Sequence, residues 1–140
     1  MSVEIAKFES LEWTAPKLPP DLPDDLREQG LKVQRRGLAS GHGGFHASYV
    51  VMPAGQVTVP HSHDHSELVI IQEGSMSFDD GDRTVELVPN DAATISAGQV
   101  YGFTVGPVGV SFLLIRSGAA VSSVVGSAGA GVGAPAQSPT

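Results

Sequence analysis

The chain contains no cysteine among its 140 residues. This absence excludes disulfide bonds, thiolate metal sites and a cysteine nucleophile. Charged residues are scarce at 16%, and 15 acidic residues outnumber 8 basic ones to give a net charge of −7. Nucleic acids and anionic membrane surfaces are recognised through basic patches, so neither is an expected partner.

Long apolar runs are also missing. No stretch of the sequence reaches the uninterrupted apolar length that spans a bilayer. The first fifteen residues carry several charges in place of the apolar segment of a signal peptide. We therefore expect a cytoplasmic protein.

Turn-forming residues are abundant, with 17 glycines and 10 prolines, while 41% of the residues are hydrophobic. From residue 31 to residue 116 short apolar segments alternate with turn signals, such as the hairpin turn predicted from Asp79 to Asp82. Because glycines interrupt the apolar runs, Glu67 to Gln72 and Ser75 to Phe78 are predicted as separate strands, as are Val100 to Val105 and Val110 to Arg116. Eight to ten short strands predict one closed β-sandwich or β-barrel domain.

Residues 1–30 precede this domain as an irregular arm. Four prolines break regular structure there, and Asp24 to Gln29 has the pattern of one helical turn ended by Gly30. Trp13 is the only tryptophan of the chain. We expect it to anchor the arm on the barrel or on a second subunit.

Residues 117–140 follow the domain as a low-complexity tail. They carry no charge and consist mainly of Gly, Ala, Ser and Val, so they bury too little apolar area to offset the entropy of ordering. We expect a flexible tail, in which Val121, Val124 and Val125 leave open a single edge strand.

The most informative segment runs from Gly55 to Gly74 and contains His61, His63 and Glu67. His61 and His63 are two residues apart, so both side chains leave the same face of an extended strand. Glu67 follows a short polar turn and can return to that face. Two imidazoles and one carboxylate form the ligand set that binds a divalent transition metal with coordination positions left open.

The spacing of this segment resembles the first motif of the cupin family at every specified position. That motif is Gly, five residues, His, one residue, His, three residues, Glu, six residues, Gly. The resemblance implies an all-β jelly-roll barrel over about residues 31–116. It also implies a homodimer, because cupin jelly-rolls often pair through their sheets.

The second cupin motif is only partly present. Asp91 and Gly98 match it, whereas four other specified positions carry different residues: Asn90, Ser96, Tyr101 and Val105. In the resemblance Tyr101 stands where cupins have their fourth metal ligand, a histidine. No histidine follows His65. We therefore expect three protein ligands, with water at the remaining positions.

Tyr101 has three interpretations in this arrangement. It could hydrogen-bond substrate or bound water, serve as an acid once a nearby cation lowers its pKa, or be a core tyrosine. Gln99 would reach the same place after a register shift of two residues. His65 lies in the turn before Glu67, where it is a third nitrogen ligand, a base beside the metal, or an exposed side chain.

Three further residues flank the same barrel and are candidates to line its pocket: His42, His46 and Tyr49. The sequence does not fix the direction in which they face. Val69 and Ile71 share the face of Glu67, so the inner wall near the site is expected to be apolar. This wall favours a small, largely apolar organic substrate.

The sequence thus predicts a metal-dependent cupin enzyme. Fe(II) with dioxygenase-like chemistry is the first expectation, and a non-redox isomerase, lyase or polyketide-type cyclase using Zn, Ni or Mn is the second. A different class is a non-catalytic ligand-binding or sensor module. No helix-turn-helix pattern follows the barrel, so a sensor would act through another protein.

Overall fold

The computed structural model describes residues 2–15, 20–21, 23–118 and 122–124. These residues confirm the all-β prediction, since they form one antiparallel arrangement of eight strands and a single eight-residue α-helix, α1. The elements in chain order are α1 (Asp24–Leu31), β1 (Gln34–Ser40), β2 (His46–Met52), β3 (Val57–His63), β4 (Glu67–Asp79), β5 (Thr84–Leu87), β6 (Ala92–Ile95), β7 (Tyr101–Arg116) and β8 (Ser122–Val124).

Strand β7 organises the architecture. Its second half lies between β2 and the first half of β4, and its first half lies between β3 and the second half of β4. The remaining strands extend this framework, with β1 on β2, β8 on β3, and β5 and β6 on β4. No pairing joins β3 to β4 among the described residues, so β7 sets the register of both.

Strands β4 and β7 are each continuous where the sequence predicted two strands. Gly74 and Gly109, which were expected to end β4 and β7, lie inside these strands and face each other. Gly74 has φ +73°, and a Cβ placed on it would overlap the carbonyl of Gly109. This close approach requires glycine, and the pairing of β4 with β7 shifts register on both sides of Gly74.

Two outer strands complete the arrangement. Strand β1 continues through Gly37 to Ser40, because β2 pairs with it along most of its length. Residues Ser122–Val124 form the edge strand β8 opposite His61 to His63, which is the single edge strand that the sequence left open in the tail. Residues 119–121 and 125–140, including Val121 and Val125, lie outside the described part.

The inner faces of the strands enclose one hydrophobic core. Its buried members come from β2, β4 and β7, the connecting strands and the segment before β1: Val33, Val50, Met52, Val69, Ile71, Met76, Leu87, Ile95, Tyr101, Phe103, Val105, Val110, Phe112 and Leu114. Burial of these side chains is the main favourable contribution to folding. The metal-binding candidates lie at the edge of this core.

The arm packs on the outside through aromatic rings. The Phe8 ring lies 4.9 Å from that of Tyr49 and 6.3 Å from that of Trp13. The guanidinium of Arg36 stacks over Phe8 and Trp13, at 4.4 and 4.2 Å. In the part of the chain that the structure describes, no helix has the length and apolarity needed to cross a membrane.

Candidate metal centre

An irregularity in β3 brings the first two histidines to the inner face. Thr58 pairs with Phe103 and His61 with Tyr101, so three residues of β3 span two of β7. This is the signature of a β-bulge. Without it, Thr58 and His61 would point to opposite faces, whereas both are buried.

Gly102 lies opposite the bulge. A Cβ on this residue would be 2.8 Å from the carbonyl oxygen of Thr58 and 3.3 Å from the nitrogen of Pro60. Pro60 has no N–H and needs no ladder partner at this point. Gly102 and Pro60 therefore fit the local distortion that orients His61.

His61 is fully buried and has a defined tautomer. Its Nδ1–H donates a 2.8 Å hydrogen bond to the carbonyl oxygen of Val59. Burial lowers the pKa of His61, which keeps the ring neutral and leaves the lone pair on Nε2. That nitrogen is buried and has no hydrogen-bond partner among the described residues. A buried imidazole held by a carbonyl at one nitrogen and open at the other is the arrangement of a metal-binding histidine.

Glu67 joins the neighbouring polar groups. Its Oε1 lies 3.4 Å from Nε2 of His63 and accepts a 2.7 Å hydrogen bond from the Tyr101 hydroxyl. Its Oε2 lies 3.2 Å from Nε2 of His65. The Tyr101 oxygen is in turn 3.2 Å from Nε2 of His63. Both oxygens of this buried carboxylate therefore face groups that stabilise its charge.

Three of these side chains bring candidate ligand atoms within 4.8 Å of one another: His63, His65 and Glu67. The His61 ring lies beside this cluster, with its centroid 4.7 Å from that of His63 and 4.5 Å from that of Tyr101. His65 is only 7% exposed, so its interpretation as an exposed side chain is wrong. The donors present, imidazole nitrogens with one carboxylate, suit a divalent transition metal.

Tyr101 keeps its proton in this environment. Burial raises the pKa of Tyr101 well above 10, and the charge of Glu67 and its hydrogen bond to the hydroxyl add to the effect. Arg116 offsets a small part of this rise in the pKa. The hydroxyl is therefore a hydrogen-bond donor at neutral pH.

The structure places two arginines in the interior that sequence reasoning did not assign. Arg35 and Arg116 are 3% and 1% exposed. Arg116 pairs directly with Glu67 in the register of β7 and β4. Burial lowers the pKa of Arg35 to about 10, and the charge of Arg116 acts in the same direction. Alternation along β7 places Arg116 on the same face as Phe112 and Leu114, which was the available signal.

Other candidates lie elsewhere. Gln99 is exposed and donates to the carbonyls of Asp80 and Val100, because β7 begins only at Tyr101. His42 is exposed and contacts Ser2. Tyr49 faces outward against Phe8 and Trp13. His46 is half-buried and pairs with Arg116.

A hollow of about 450 Å³ lies next to two neighbours of this centre, although none of the candidate ligands lines it. Phe78 lines it and stacks on Tyr101 with ring centroids 5.3 Å apart, while Ile95 lines it and pairs with Glu67. Its volume is that of a small-molecule site, and its other lining residues are both apolar and charged, among them Val85, Leu87, Asp80, Asp82 and Arg83.

The chain is similar in sequence and in fold to proteins of one family. The cupin domain family matches residues 48–116. No protein of curated function matches the chain. Among solved structures, KdgF from Halomonas sp. aligns with a TM-score of 0.64 at 16% identity, covering 81% of this chain and 93% of that one.

Two further solved structures carry activities in their names. A sugar phosphate isomerase of the cupin superfamily from Silicibacter pomeroyi aligns with a TM-score of 0.67 at 17% identity, covering 86% of this chain and 81% of that one. The polyketide cyclase RemF from Streptomyces resistomycificus aligns with a TM-score of 0.61 at 22% identity, covering 82% and 79%. At these identities the likeness establishes the fold. Together with the family match and the complete first motif, it shows that residues 48–116 form a small domain of the cupin superfamily.

Proposed function

We propose that this protein is a metal-dependent enzyme that acts on a small organic molecule. The observation that carries the proposal is the buried His61 Nε2, which has no partner among the described residues and lies beside the His63–Glu67 pair. An orphaned buried nitrogen is costly unless it binds something. A divalent metal held by His61, His63 and Glu67 would satisfy it.

The side chains around Glu67 have defined roles in this proposal. Tyr101 holds a proton at its hydroxyl and donates it toward Glu67 Oε1. His65 Nε2–H donates to Glu67 Oε2 over 3.2 Å and so orients the carboxylate. The ring of Phe78 stacks on that of Tyr101 and covers one of its faces.

A bound ion would supply Lewis acidity or, as Fe(II), oxygen activation. The protonated Tyr101 hydroxyl beside Glu67 is a proton donor, which favours the non-redox class, an isomerase, lyase or cyclase with Zn, Ni or Mn. The similar isomerase and polyketide cyclase structures support that class by fold. The dioxygenase-like reaction with Fe(II) uses the same three ligands and is the second candidate.

The test begins with metal analysis of protein purified without chelator. We expect one metal ion per chain in the wild type, and loss of stoichiometric metal in His61→Ala, His63→Ala and Glu67→Gln. His42→Ala is the matched control, since this exposed histidine contacts only Ser2 through its side chain in the described structure and should keep the metal. Full occupancy in the His61→Ala/His63→Ala double variant would overturn the proposal.

Two further measurements refine it. His65→Ala should keep the metal and lose turnover. If His65→Ala instead loses the metal while His61→Ala retains it, the third ligand is His65 and not His61. Oxygen uptake by the iron-loaded protein with candidate substrates would select the dioxygenase-like class. A protein that binds metal and ligand but turns nothing over is a sensor module.

A further inference from the structure

A second polar position adjoins the proposed metal ligand Glu67 in the interior. Arg35 of β1 points inward and lines a cavity of about 20 Å³ together with Glu67 and Tyr101. The other walls of this cavity are apolar side chains: Val50, Met52, Val69, Phe103, Phe112 and Leu114. A guanidinium is charged at every physiological pH, and its transfer into apolar surroundings is costly.

Positive charge predominates around this cavity. Arg116 lies across from Glu67 in the β4–β7 pairing, and its charge and that of Arg35 act on each other. Among the described residues the buried ionisable side chains of Arg, His, Asp and Glu are two arginines, three histidines and one carboxylate, Glu67. A divalent metal on that carboxylate would add further positive charge, so the interior favours an incoming anion.

The volume of the cavity restricts which anion can enter. About 20 Å³ admits roughly one water-sized group. An oxygen of a carboxylate has this size. A carboxylate carries a single charge, so its transfer beside these apolar walls costs less than that of a phosphate dianion. The planar fork of a guanidinium also matches a carboxylate.

We propose that the substrate carries a carboxylate and that Arg35 recognises it, with one carboxylate oxygen entering the cavity beside Glu67. This inference rests on the proposed function, because it names the substrate class of the same site. Arg35 is then the specificity-determining residue.

The experiment uses ¹³C-formate, the smallest carboxylate, titrated by NMR into metal-free and zinc-loaded protein. Arg35→Met should weaken formate binding by about tenfold or more, the scale of a lost charge-assisted contact. Arg36→Met is the matched control: its guanidinium stacks outside the barrel on Phe8 and Trp13, so formate affinity should stay within about twofold. Inorganic phosphate should not displace formate.

Equal formate affinity in Arg35→Met and the wild type would overturn the proposal, as would displacement by phosphate at similar concentrations. If Arg35→Met does not fold, Arg35→Lys serves instead. Its ammonium lacks the fork, so formate should bind about threefold or more weakly, and unchanged affinity would again overturn the proposal. Metal content measured on the same samples separates the two hypotheses, because absence of metal refutes the proposed function while the metal-free titration still tests Arg35.

Discussion

The hydroxyl of Tyr101 donates a 2.7 Å hydrogen bond to Oε1 of Glu67. Tyr101 stands where the second cupin motif has a histidine, and Glu67 is the glutamate of the first motif. The relationship therefore places a proton donor where the family usually has a ligand. It leads directly to the first prediction.

Removal of that hydroxyl in Tyr101→Phe should leave the fold and the metal content unchanged. Turnover should fall by about a hundredfold or more, the usual effect of losing a positioned acid or base. Steady-state kinetics with a metal assay on the same preparation checks this. Unchanged turnover and metal content, with only a loss of about 1 kcal/mol in unfolding free energy, would identify a structural tyrosine instead.

Metal binding should stabilise the folded chain. With free zinc at about a thousand times its Kd, the free energy of unfolding should rise by about 4 kcal/mol, because the metal binds the native state in preference to the unfolded one. Thermal melts with zinc and with chelator measure the effect. His63→Ala should show no stabilisation and His42→Ala the full amount; equal stabilisation in both would indicate binding elsewhere.

Gly102→Ala should disturb the ligand strand. The added methyl group would be 2.8 Å from the Thr58 carbonyl oxygen, so β3 and β7 must separate at the bulge, at a cost of about 1–3 kcal/mol. Metal affinity should fall as His61 shifts. Gly37→Ala is the control, since a Cβ there meets nothing within 4 Å, and a similar loss in both variants would contradict the argument.

Arg35→Met should stabilise the metal-free protein at neutral pH, by up to about 3 kcal/mol from a pKa lowered to about 10. Between the folded and the unfolded pKa of Arg35, the unfolded chain binds more protons than the folded protein. The free energy of unfolding therefore rises with pH in that range. Below that window the cost of burying the charge is present in full. Urea denaturation at pH 7 measures the gain, and a destabilised variant would show that Arg35 is a structural residue.

The protein should be a homodimer. Trp13 and Phe8 remain 40% and 36% exposed although they pack on Tyr49, which leaves an aromatic surface that a second subunit would cover. Light scattering at micromolar concentration should give about twice the chain mass of 14.5 kDa. A monomer mass would contradict the prediction.

The sequence predicted the strands and turns well because alternation and glycine placement report local geometry. It also identified His61, His63 and Glu67 as candidates, since spacing alone puts the histidines on one face. It did not predict that β4 and β7 are continuous, because the contact of Gly74 with Gly109 joins residues far apart in the chain. Burial of Arg35 was likewise not predicted, because arginine is rarely buried and only the tertiary pairing shows the direction of its side chain.

The role of β7 as common partner of β3 and β4 has a consequence for the order of synthesis. His61, His63 and Glu67 leave the ribosome before β7, yet Tyr101 fixes the position of His61 and Arg116 that of Glu67. A nascent chain that ends before residue 101 contains all three proposed ligands but lacks β7, the strand that sets the pairing register of β3 and β4. The centre can therefore assemble only after translation has passed Arg116, and metal should enter a finished barrel instead of guiding its folding.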